Sequence, residues 1–178
     1  MKKLAVLFFF VLFATASFAQ FQSTNNTLGV VVGFGGAGLT GEGALPIGAE
    51  YMFYSMNEKL NLGVYAGFAS TSEEYNFFVA KGTWTYTNIL IAASGNYHFS
   101  PGEKFDPFVG ASLGYNVASA SFEWDGTKPA GAIEPTASVG GLVYSGHAGF
   151  NYWMSPGWAV QVRVGLLPYV GAGVLFNM

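Results

Sequence analysis

The sequence predicts an all-β fold: one eight-stranded antiparallel up-and-down barrel of the transmembrane kind, preceded by a cleavable signal peptide. Three observations carry this. The chain is 51% hydrophobic and only 10% charged, whereas soluble domains carry roughly a quarter charged residues. Beyond the N-terminal leader, no apolar run reaches the ~20 residues that a membrane-spanning helix needs. The best candidate, residues 164–176, is interrupted by Pro168 and three glycines. Large apolar residues instead recur at every second position in eight segments, the period of a strand with one oily face and one small or polar face.

The leader comes first. Lys2 and Lys3 precede the apolar residues 4–13, and Ser17-Phe18-Ala19 places small residues where a signal peptidase reads. Cleavage between Ala19 and Gln20 leaves residues 20–178 as the barrel domain. With Lys2 and Lys3 removed, five basic residues face ten acidic ones, a balance that excludes nucleic acid as a partner. The absence of cysteine excludes a disulfide framework and an N-terminal lipid anchor.

The strands follow in order. Strand 1 (28–36) sets Leu28, Val30, Val32 and Phe34 against glycine and Val31. Strand 2 (44–54) sets Leu45, Ile47, Ala49, Tyr51 and Phe53 against Pro46, Gly48, Glu50 and Met52. Strand 3 (60–69) alternates Leu60, Leu62, Val64, Ala66 and Phe68 with Asn61, Gly63, Tyr65 and Gly67. Strand 4 (85–99) alternates Ile89, Ile91, Ala93, Tyr97 and Phe99 with Asn88, Leu90, Ser94, Asn96 and His98. Strand 5 (108–121) places Val109, Leu113, Tyr115 and Val117 against Gly110, Ser112, Gly114 and Asn116. Strand 6 (138–154) places Leu142, Tyr144, Ala148, Phe150 and Tyr152 against Ser145, His147, Gly149 and Asn151. Strand 7 (158–165) reads WAVQVRVG, with Gln161 and Arg163 on the small or polar side. Strand 8 (169–177) alternates Val170, Ala172, Val174 and Phe176 with glycine, Leu175 and Asn177. The bulky set faces outward and the glycine-rich set faces a narrow lumen. The reverse arrangement, a soluble barrel, would put an almost uncharged glycine-rich face in water.

Short turns follow strands 2, 4 and 6, and longer loops, above all 70–84 and 122–137, project from the other end. This length asymmetry is typical of barrels with a periplasmic and an outer side. The loops and turns hold nearly all charges; only Glu50 and Arg163 fall inside strands. Phe53, Tyr97, Phe99, Phe150, Tyr152, Trp158 and Phe176 gather on the outward set near the short turns, as a periplasmic-side aromatic belt. Phe34, Phe68, Trp84, Tyr86 and Tyr144 approach the opposite rim.

The leader, the eight alternating strands, the short turns, the belts and the final YVGAGVLF together resemble the small outer-membrane β-barrel proteins of Gram-negative bacteria, of the OmpX and OmpA membrane-domain type. The resemblance spans the whole mature chain. It implies the cell outer membrane as location, with its lipid and lipopolysaccharide as surroundings. Members usually end on an aromatic residue; here Phe176 is followed by Asn177 and Met178.

The motifs that carry chemistry elsewhere are weak here. The glycines at 33, 35 and 38 match a dinucleotide fingerprint, but no helix follows. His98-Phe99-Ser100 has the His-x-Ser spacing of outer-membrane lipid A deacylases, without an evident acid to orient the histidine. Two histidines and no cysteine make a poor zinc set. No cofactor or metal is expected, and no enzyme.

The informative pair is Glu50 and Arg163. The turn lengths place Arg163 opposite Gly149, Gln161 opposite Asn151, residue 154 opposite 158, and Glu50 opposite Gly63. Both charges then stand at similar height across the lumen, and the reading predicts an ion pair joined by Gln161, Asn151 and His147. A filled lumen implies a non-catalytic structural or surface-interaction protein whose long loops meet an extracellular ligand. A narrow solute channel is the alternative, and an outer-leaflet lipid-modifying enzyme the third possibility.

Overall fold

The computed structural model describes residues 26–36, 45–77, 80–126, 131–165 and 167–178. The leader with its Ala19–Gln20 cleavage site lies outside these residues, as does most of the loop after strand 1. Among the described residues, eight strands close a ring in chain order, each antiparallel to its neighbour, with the first hydrogen-bonded to the last. They are β1 (Thr27–Phe34), β2 (Ile47–Asn57), β3 (Leu60–Phe77), β4 (Ala80–His98), β5 (Phe105–Asp125), β6 (Thr136–Ser155), β7 (Trp158–Val164) and β8 (Val170–Asn177).

The two-residue period decides which side chains are inside. In β1, Thr27, Gly29, Val31 and Gly33 are buried, while Leu28, Val30, Val32 and Phe34 are exposed outward. The same alternation continues around the ring, so the outer wall carries exposed Val64, Ile91, Leu113 and Val160. This is the inverse of a soluble barrel.

The strands are unequal. Those from β3 to β6 run 18 to 21 residues, against 7 or 8 for β1, β7 and β8. Residues 70–77, 80–84, 122–125 and 136–137 are therefore strand and not loop. The ladder from Ser70↔Thr87 to Phe77↔Ala80 holds the β3–β4 hairpin, and that from Lys81↔Asp125 to Thr87↔Ser119 adds β5. Threonine and aromatic residues, which favour strands, recur at 83–87, and hydroxyl pairs such as Ser72–Thr85 at 3.2 Å cross the hairpin. The charges of Glu73, Glu74, Lys81, Glu123 and Asp125 thus stand on strands that rise above the ring, and Asp106 lies in β5 rather than in a turn.

Two expected registers also differ. Glu50 pairs with Tyr65, and Met52 with Gly63, because β2 has two register shifts before Asn57 meets Leu60. The Asn57 side chain accepts from the Lys59 and Leu60 amides and closes that turn in two residues. Ser155, not residue 154, pairs with Trp158, because a shift follows Trp153.

Candidate functional site

The lumen is filled in layers. At the short-turn end Trp153, Ala159 and Leu175 form a buried apolar cluster, with Phe108 also buried. At the opposite end Tyr65, Ala69, Leu90 and Ala92 pack around Leu167. Leu167 and Pro168 are buried, so the turn between β7 and β8 folds back into the mouth. The Tyr65 hydroxyl donates to the Leu167 carbonyl and fastens it there. Glycine makes this packing possible at Gly48, where a Cβ would collide with the Tyr65 hydroxyl.

Between the two apolar layers lies the polar one. Arg163 Nη1 donates to Glu50 Oε2 at 2.8 Å. Gln161 Nε2 donates to Glu50 Oε1 at 2.9 Å and lies 3.2 Å from Asn151 Oδ1. All four side chains are buried. β2 and β7 are separated in the ring by β1 and β8, so the pair spans the inside of the barrel. The intervening strands turn Gly29, Gly171 and Gly173 inward, which clears the path; a Cβ at Gly29 would lie 3.0 Å from Glu50 Cγ. The Arg163 guanidinium also lies over the Tyr65 ring, 4.7 Å from its centroid. The register opposes Arg163 to Gly149 and Gln161 to Asn151. Burying two charges requires such complementary bonding, because each unpaired ion would carry a desolvation penalty of several kcal/mol.

The described hydrogen bonds of His147 run to other partners. Its Nε2 donates to Asn96 Oδ1 at 2.6 Å, and its Nδ1 lies 3.4 Å from Ser112 Oγ. It faces β4 and β5 because the β5–β6 register sets it opposite Gly110, whose missing side chain leaves the space the imidazole occupies. A second buried pair appears nearer the short turns, where His98 Nδ1 donates to Asp106 Oδ2 at 2.6 Å. The acid missing from the sequence reading is therefore present, brought inward by the early start of β5. His98 Nε2 faces Asn61 Nδ2 at 3.5 Å, an amide and not a nucleophile.

The predicted belt residues occupy the outward face. Tyr97 and Phe99 meet edge-on at 5.4 Å, Phe105 tilts on Phe150 at 5.3 Å, and Lys104 lies 5.2 Å from the Tyr152 ring. Phe53 is exposed, and Trp158 and Phe176 are cross-strand partners. Trp84 and Tyr86 depart from the expectation. They share the parity of buried Asn88 and so face inward. There Trp84 stacks with Tyr86 and tilts against Phe122, which meets Trp124 at a right angle.

Asp106, Phe108, Trp153 and Leu167 are buried lumen residues beyond those expected from the sequence. The parity of Asn151 extends to Trp153 and that of Gly110 to Phe108, so alternation alone points inward for both. Nothing local marks Leu167, which is buried because its turn folds inward.

These features define a closed, side-chain-filled barrel with an apolar exterior. No family model matches the chain, and no curated protein matches it. Among solved structures, a designed transmembrane β-barrel is 17% identical, with 90% of this chain and 100% of that chain covered at a TM-score of 0.51. Neisserial surface protein A is 17% identical over 86% of this chain and 95% of its own, with a TM-score of 0.49. Ail, the attachment invasion locus protein of Yersinia pestis, is 15% identical over 85% and 91%, with a TM-score of 0.46. The chain has the fold of a transmembrane β-barrel, here with eight described strands.

Proposed function

We propose that this chain is a non-catalytic barrel of the Gram-negative outer membrane that acts at the cell surface through the sheet formed by the upper parts of β3 to β6. One observation carries the reading. The β6–β7 register ends at Ala148↔Val164, while β6 continues paired with β5 up to Thr136. Residues 136–147 of β6 therefore have β5 on one side and no described strand on the other. An open edge of this kind is a template for an extended segment of another chain. The apolar exterior supports membrane lipid and lipopolysaccharide as the surroundings. The filled lumen supports a structural wall over the alternative of a narrow channel. Outer-leaflet lipid chemistry has no support at His98, whose free ring nitrogen meets an amide.

Protease treatment of intact cells tests the placement of this sheet. Cleavage within residues 70–84 or 120–138, with the remainder of the barrel protected, supports it. Cleavage only after the outer membrane is permeabilised contradicts it. Discrete conductance steps in a planar bilayer would favour the channel.

A further inference from the structure

We infer that the inner face of the protruding sheet is a docking surface for an arginine- or lysine-bearing peptide segment; this deepens the surface-interaction reading and rests on it. The sheet is acidic. Its strands carry Glu73, Glu74, Glu123 and Asp125 against one described ammonium, Lys81. Of these, Glu73 shares the inner face with an aromatic platform, while Glu74, Glu123 and Asp125 stand on the outer face. Glu73 and Trp84 are register partners on β3 and β4. The Tyr75 hydroxyl donates to Glu73 Oε2 at 3.0 Å and steadies the carboxylate on that face. Beside it the Trp84 and Tyr86 rings lie nearly parallel, 16° apart with centroids at 6.2 Å. A carboxylate next to a flat indole pairs with a guanidinium in two ways at once, by charge and through the ring face. Lys81, on the opposite parity of β4, does not compete for this position. The acidic field of the whole sheet draws in the same class of partner.

The test uses the full chain in nanodiscs of zwitterionic lipid at low salt, titrated with three acetylated peptides, (Arg-Ser)4, (Gln-Ser)4 and (Glu-Ser)4. The arginine peptide binds, and binds more weakly as salt rises. Glu73→Gln or Trp84→Ala lowers that affinity about tenfold, whereas Glu123→Gln, on the outer face, changes it less than about twofold. Retained gel-mobility difference between boiled and unboiled samples shows that each variant is folded. Equal losses for Glu73→Gln and Glu123→Gln overturn the site and leave only a diffuse field. Tighter binding of (Gln-Ser)4 overturns the basic partner while the surface-interaction reading stands. Binding of none of the three peptides overturns the docking surface, while the surface placement of the sheet is decided separately by the protease treatment.

Discussion

Arg163 and Glu50, 113 positions apart in the chain, meet at 2.8 Å inside the barrel, where both are buried. They come from strands that are not neighbours, so the contact ties one side of the ring to the other independently of the backbone ladder. Removing one partner strands the other charge. Glu50→Gln and Arg163→Gln should each destabilise by about 3–5 kcal/mol. The double variant should lose less than the sum, by a coupling of about 1–3 kcal/mol. Urea unfolding in lipid vesicles measures all four corners, and additive losses would show that the two charges act separately.

Trp153 closes the short-turn end and is fully buried. Trp153→Ala should destabilise by about 3–5 kcal/mol, because the rigid ring of strands cannot collapse around the missing indole. Trp158→Ala, on the outward face of β7, should have a smaller effect in the same assay.

The Tyr65 hydroxyl is the fastening of the inward turn. Tyr65→Phe keeps a ring beneath Arg163 but leaves the buried Leu167 carbonyl without that donor. The expected loss is about 1–3 kcal/mol, with faster hydrogen exchange at the Gly165 amide, which is bonded to the Tyr169 carbonyl at 3.0 Å. Unchanged exchange would show that packing of Leu167 alone holds the turn.

Glycines on the two faces should differ. Gly48→Ala drives a Cβ into the Tyr65 hydroxyl and should destabilise by about 1–3 kcal/mol. Gly146→Ala, on the outward face, meets nothing nearer than the Gly110 carbonyl at 4.0 Å and should stay within about 0.5 kcal/mol of the native chain. Thermal unfolding of the pair decides this.

Much of the fold was legible because barrel strands advertise themselves by parity. Eight segments, their order and the inward set around Glu50, Gln161 and Arg163 all follow from a period of two. Strand ends were less legible. Residues 70–84 read as loop because their polar and aromatic composition loses the apolar alternation once the strands rise above the ring. Turn length alone sets Glu50 opposite Gly63, and the shifts in β2 that move it to Tyr65 cannot be read from alternation. Parity likewise says that the His147 side chain points inward but not which wall its hydrogen bonds reach. Asp106 follows Pro101, Gly102, Glu103 and Lys104, whose composition reads as a turn that runs past the start of β5 at Phe105.

The central claim is that the bulky alternate residues form the membrane-facing wall. The chain has no cysteine, so single cysteines can be introduced and spin-labelled without background. Labels on Val64, Ile91 and Leu113 in lipid vesicles should be relaxed by dissolved oxygen and shielded from a water-soluble nickel complex. Labels on Glu74 and Glu123, above the ring, should show the reverse. Nickel access at Val64, Ile91 and Leu113 equal to that at Glu74 would contradict the account.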